Sequence, residues 1–180
     1  MMTQSRLLQS GLISLLFGAA TLAGCNKASS EVPLVTTAAG PPGYSWQRAT
    51  IANVGSYDLP SGGKWQKDGL GASNGELDVT ISVQMQGGVE DSDRAVFMKG
   101  LVDANKRDAP KYEILGQQNG QVNKIAAGRV DGKFDNGTAY ATRDYVLFNN
   151  HVALAMMVRG PIAKQQDVQA IADHLAVSLK

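Results

Sequence analysis

From Glu76 to Gln86 (ELDVTISVQMQ) apolar and polar residues alternate, with Leu77, Val79, Ile81, Val83 and Met85 on one side. A period of two predicts a half-buried β-strand. Across Asp91–Arg107 the period lengthens: Phe97, Leu101 and Ala104, with Met98, Val102 and Asn105 beside them, recur at three- and four-residue spacings. That is one face of a helix. Its order of charge fits, because Glu90, Asp91 and Asp93 precede it, Lys106 and Arg107 close it, and Asp91 or Ser92 can cap its start. Pro110 stops it.

Four more strands are predicted after this helix, over Tyr112–Gln117, Lys124–Phe134, Thr138–Phe148 and Val152–Arg159. Asn136-Gly137 tolerates positive φ and marks a hairpin, and Asn149-Asn150 offers a second tight turn. Gln165–Leu179 puts Val168, Ile171, Ala172, Leu175 and Leu179 on one stripe, a second amphipathic helix. Ahead of these, Val54–Pro60, the turn Ser61-Gly62-Gly63 and Lys64-Trp65-Gln66 read as strand, turn and strand. The expected fold class is α+β: one mainly antiparallel sheet covered by two helices. Met85, Met98, Met156 and Met157 are expected to fill its core.

The start of the chain follows another rule. Residues 1–10 carry Arg6 and no acid, residues 11–23 (GLISLLFGAATLA) are apolar, and Gly24 precedes Cys25. A basic start, an apolar run shorter than the ~20 residues of a bilayer crossing, and small residues at the cut make an export signal. Leu22-Ala23-Gly24-Cys25 resembles the bacterial lipobox. The resemblance implies that residues 1–24 are a cleaved signal peptide and that Cys25 carries a diacylglycerol thioether and an N-acyl chain. Cys25 is the chain's only cysteine, so neither a disulfide nor a thiolate metal cluster is available. Asn26, where an aspartate favours inner-membrane retention in such lipoproteins, points to the outer membrane, periplasmic face, with the inner membrane as the alternative because Lys27 follows. Residues 25–43 are rich in Ser, Thr, Ala, Gly and Pro and read as a flexible tether of up to about 50 Å, with one globular domain over 44–180.

With Arg6 removed, 17 basic residues become 16, equal to the 16 acidic ones. The densest basic group, Lys106, Arg107 and Lys111, is interrupted by Asp103 and Asp108. A nucleic-acid partner is not expected.

Catalytic chemistry finds little support. His151 falls at a predicted turn and His174 beside the stripe of the last helix; neither has a second ligand at metal spacing, and both read as surface residues. Asp131, Asp135 and Asn136 lack the calcium-loop spacing, and Glu90, Asp91 and Asp93 are explained by a helix start. No nucleophile elbow, phosphate loop or dinucleotide fingerprint occurs. No cofactor other than the acyl chains of Cys25 is expected.

Ser56–Trp65 (SYDLPSGGKW), Gly120–Val130 (GQVNKIAAGRV), the Gly137–Arg159 hairpin and the closing Leu175–Lys180 together resemble PsbP-like domains, including the DcrB-like bacterial lipoproteins. The resemblance covers residues 50–180. It implies an α/β/α sandwich, a turn opening the Gly120–Val130 strand, Trp65 packed across the opening hairpin, and non-enzymatic work. Trp46 precedes these elements and is a candidate exposed anchor for a partner. The expected function is therefore an envelope lipoprotein that binds a protein, as scaffold, chaperone or toxin inhibitor. The alternative is a small-molecule or lipid binder with a pocket between sheet and helices.

Overall fold

The computed structural model describes residues 32–180. The expectations for the signal peptide, the lipobox and Cys25 lie outside the described residues. Ten strands and two helices follow in the order β1 (Pro33–Val35), β2 (Ser45–Ile51), β3 (Gly55–Ser61), β4 (Trp65–Asp68), β5 (Gly71–Asn74), β6 (Val79–Gly87), α1 (Arg94–Asp108), β7 (Glu113–Val122), β8 (Ile125–Asp135), β9 (Ala139–Asn149), β10 (Val152–Pro161) and α2 (Gln165–Ser178).

Eight strands form one sheet in the order β1-β7-β8-β9-β10-β6-β5-β4, and β2–β3 form a separate two-stranded sheet. The large sheet is mixed, because β1 runs parallel to β7 while the other pairs are antiparallel. One face of the large sheet packs on α2 and on the β2–β3 hairpin. Leu147, Leu154, Met156 and Val158 meet Val168, Ile171, Ala172 and Leu175 there, all fully buried. The other face packs on α1, where Met98, Leu101 and Val102 cover Val130, Val146 and Met157. Full burial of a Val, Leu or Ile side chain contributes roughly 1.5–3 kcal/mol, so the α2 face dominates the stability. The layers are helix, sheet, helix.

Five differences from the expectations have identifiable causes. The opening strand–turn–strand is not a hairpin: β3 pairs with β2, and β4 pairs with β5. Gly62 and Gly63, at φ 76° and 57°, turn the chain out of one sheet and into the other. β6 begins at Val79 rather than Glu76, because the buried Asn74 side chain accepts the amides of Glu76 and Leu77 at 3.1 Å and holds them in a turn.

The third difference is the Asn119-Gly120 turn, which does not form. β7 runs on to Val122, and the reversal is made by Asn123-Lys124, both at positive φ (49° and 68°). Gly120 serves close approach instead: a Cβ there would lie 2.1 Å from the Val32 carbonyl oxygen. Fourth, the turn between β9 and β10 is one residue later than expected, at Asn150-His151 (φ 50° and 60°). Fifth, Met85 is 55% exposed at the far end of β6, while Met98 and Met156 are buried.

The segment expected to be tether is also not free over its described part. β1 lies in it, and Gln121 donates to the Val32 carbonyl at 3.1 Å. Arg129 adds a hydrogen bond from Nη1 to the Leu34 carbonyl at 3.3 Å. Residues 33–43 form a strap against the domain.

Candidate partner-binding site

The strap ends where β2 begins, and aromatic residues from three segments gather there. Tyr44 follows the positive-φ Gly43, Trp46 lies on β2, and Trp65 opens β4 after the crossing at Gly62-Gly63. The Tyr44 ring is 6.2 Å from Trp46 in a stacked arrangement and 5.9 Å from Trp65, tilted at 55°. The two tryptophans singled out from sequence are thus brought together by a tyrosine that sequence reasoning passed over. All three are half-buried and pack against the main core. Burial, reinforced by the Asp167 carboxylate, pushes the Tyr44 phenol up from its usual range.

His174 supports the cluster from below. Its position on α2 stacks the imidazole on Trp46, with ring centroids 3.8 Å apart and 25° between planes. Nδ1 lies 2.8 Å from the Ala38 carbonyl oxygen. A carbonyl only accepts, so Nδ1 carries a proton. Nε2 faces Asp58 Oδ2 at 3.4 Å without forming a hydrogen bond, and the side chain is only 15% exposed. The surface placement expected for His174 is therefore incorrect. Its neighbours in sequence gave no sign of this, because strap and helix are 136 residues apart. Asp58 is held in turn by Arg48 at 2.7 Å, and Arg48 also reaches Ser56 Oγ at 3.0 Å. Gly40 closes the roof, since a Cβ there would lie 2.4 Å from the Trp46 ring.

Next to this cluster a clasp of charge fixes α2 on the sheet. Arg143 on β9 bonds Asp131 on β8 at 2.6 and 3.2 Å and Asp173 on α2 at 3.0 Å. Tyr145 donates to Asp173 at 2.7 Å. Asp131 thus serves this clasp. Asp135, the other residue weighed for calcium, accepts the Gly137 amide at 2.9 Å within its turn and pairs with Lys111.

The opposite face holds a second polar group under α1. Asp144 is fully buried; its Oδ2 accepts from Asn105 Nδ2 at 2.7 Å, and Asn105 Oδ1 accepts from Arg159 at 2.8 Å. Burial pushes the Asp144 carboxyl up to about 6, against the opposing effects of Arg159 and Asn105. Asp144 and Asn105 are closed from solvent, while Arg159 is partly exposed.

His151 is exposed and lies 3.0 Å from Glu90, and Asp93 accepts the Glu90 amide at 3.0 Å at the start of α1. Among the described residues, no three or more His, Cys, Asp or Glu are grouped so as to hold a metal ion. A depression of about 360 Å³ lies at the β9–β10 turn, lined by Val89, Glu90, Phe148, Asn149, Asn150, His151 and Val152. None of these belongs to α2.

Comparison with solved structures places this architecture. The cyanobacterial PsbP protein (CyanoP) of Synechocystis sp. PCC 6803 matches at 13% identity with a TM-score of 0.55, over 88% of this chain and 98% of that one. The fold is PsbP-like. LpqN of Mycobacterium tuberculosis, described as involved in cell envelope biogenesis, also matches at 13% identity, with a TM-score of 0.52 over 74% of this chain and 88% of that one. At such identities the likeness concerns the fold alone. No protein-family model matches the sequence, and no curated protein is significantly similar to it. The PsbP-like domain adds to the layered expectation a mixed large sheet and a separate β2–β3 hairpin.

Proposed function

We propose that this is a non-enzymatic envelope lipoprotein, anchored through Cys25, whose PsbP-like domain binds a protein partner through Tyr44, Trp46 and Trp65. The observation that carries the reading is the half-exposed aromatic cluster assembled from three separate segments. Aromatic side chains offer large, stiff contact area and dominate the energetics of many interfaces. This one is held rigid by His174 stacking and by the strap, so little freedom is left to lose on binding. The lipobox-like Leu22-Ala23-Gly24-Cys25 supports the anchor, and Asn26 supports outer-membrane placement. Among the described residues no helix is long and apolar enough to cross a membrane. The role in cell envelope biogenesis ascribed to LpqN, which shares the fold, accords with an envelope setting.

The small-molecule reading has less behind it. The α2–sheet interface, where a pocket would sit, is filled by side chains with no exposure, and the depression noted above is at the rim.

Photo-crosslinking in intact envelopes tests the proposal. A crosslinking amino acid at Gln66, beside Trp65, should capture one protein reproducibly. Tyr44→Ser combined with Trp65→Ser should reduce capture at least tenfold while circular dichroism stays unchanged. Equal capture by the folded double variant would refute the aromatic site.

A further inference from the structure

The described residues carry six large hydrophobic side chains in the open, and three of them lie along one edge of the large sheet. Val32, at the start of the strap, is 68% exposed; Leu115 and Ile114, near the start of β7, are 47% and 36% exposed. From the geometry of this edge we infer a membrane-contact surface: the β1–β7 edge rests on the bilayer that holds Cys25, with Val32, Ile114 and Leu115 facing its lipid. The inference rests on the lipoprotein reading above.

Two facts select a lipid surface as the occupant. The first is length. Because the strap is docked from Pro33 onward, only six residues lie between Cys25 and Val32, which makes seven Cα-to-Cα steps. At ~3.6 Å per residue they span at most about 25 Å. The domain therefore stands at half the distance that a free tether would allow. The point where the strap leaves the domain must be close to the membrane.

The second fact is placement. β1 is the first strand of the sheet order and β4 the last, seven strand spacings apart. At ~4.8 Å per spacing the two edges are about 34 Å from one another. A 25 Å leash from Val32 brings the β1–β7 edge to the bilayer and keeps the β4 edge, with Trp65, turned to the periplasm. The proposed partner site is thereby left accessible. Lys111 and Lys133, near the apolar pair, are already engaged by Asp135 and Glu113. Contact therefore comes from apolar side chains entering the interface and does not depend on anionic lipid. Two or three partly exposed side chains bind weakly alone, but an acyl-anchored domain needs only orientation, since the anchor supplies the local concentration.

Site-directed spin labelling tests the inference. In the acylated protein Cys25 has no free thiol, so one introduced cysteine takes the nitroxide alone. Leu115→Cys, Ile114→Cys and, on the far edge, Gln66→Cys are made in the full chain. Each is reconstituted into vesicles of phosphatidylethanolamine and phosphatidylglycerol. The ratio of oxygen to nickel-chelate accessibility should be at least threefold higher at 114 or 115 than at 66. Equal ratios at both edges, in protein whose mass shows acylated Cys25, overturn the surface and leave the anchor standing. A mass showing unacylated Cys25 overturns both. The pair of labels on β7 guards against one variant failing to fold.

Discussion

Asp144 lies beneath α1 with no access to water, and its proton is held until the pH reaches about 6, against 3.8 for an ordinary carboxyl group. The unfolded chain releases that proton about two units earlier, so across this interval the folded state holds more protons than the unfolded one. Stability therefore falls as pH rises from about 4 to about 6 and stays lower above it. Two units correspond to about 3 kcal/mol. Desolvation is the cause; the Arg159 charge and the Asn105 hydrogen bond oppose it without cancelling it. Asp144→Asn keeps the shape and an oxygen for Asn105 but has no charge to bury. It should raise stability at pH 7 by up to about 3 kcal/mol and leave it nearly unchanged at pH 4. Urea denaturation from pH 4 to pH 8 reads this directly. With slopes of about 1–3 kcal/mol per molar urea, the midpoint at pH 7 should rise by roughly 1 M or more. If Asp144→Asn is instead the weaker protein at pH 7, the carboxylate is a stabilising partner of Arg159 and the desolvation argument is wrong.

Other substitutions address the strap and the two cores. Gly120→Ala puts a methyl 2.1 Å from the Val32 carbonyl and should release the strap; amide exchange over residues 33–40 should then accelerate at least tenfold, with the domain still folded. Unchanged exchange would mean that the strap is held elsewhere. Gly128→Ala meets Met98 Sδ at 2.1 Å and should destabilise by about 1–3 kcal/mol in thermal denaturation, because the α1 face must repack. Leu175→Ala, at a fully buried position in the last turn of α2, should cost about 2–5 kcal/mol by the same measurement. A loss below 1 kcal/mol there would show that the α2 face is not the principal core.

Much of the fold could be read from period and turn residues together. α2 and most of α1 follow a hydrophobic spacing that survives in the structure because each buries one face, while β9 and β10, covered on both sides, are marked by the Asn-containing turns that bound them. β2 was missed because its outer positions, Ser45, Gln47, Arg48 and Thr50, are exposed and polar, and it pairs only with β3. β1 was missed for a related reason: three residues in a Pro- and Thr-rich stretch carry no period, and its pairing partner is almost ninety residues away. Gly120 misled because a glycine after asparagine fits a turn as well as it fits a close approach. The aromatic site was legible only in part. Trp46 and Trp65 stand out by type, but Tyr44 and His174 are joined to them through contacts between distant segments, which no local pattern records.

The way β3 is held has a kinetic consequence. Its Asp58 amide bonds the Ser178 hydroxyl across 120 residues, and Ser56 exchanges both backbone hydrogen bonds with Lys180. Such distant pairing raises the contact order, and the entropy of closing so long a loop comes before any reward from burial. The β2–β3 hairpin should then be among the last parts to settle. Until it does, the apolar side chains of Tyr57 and Leu59 stay uncovered, and a chain at that stage is open to aggregation, chaperones and proteases.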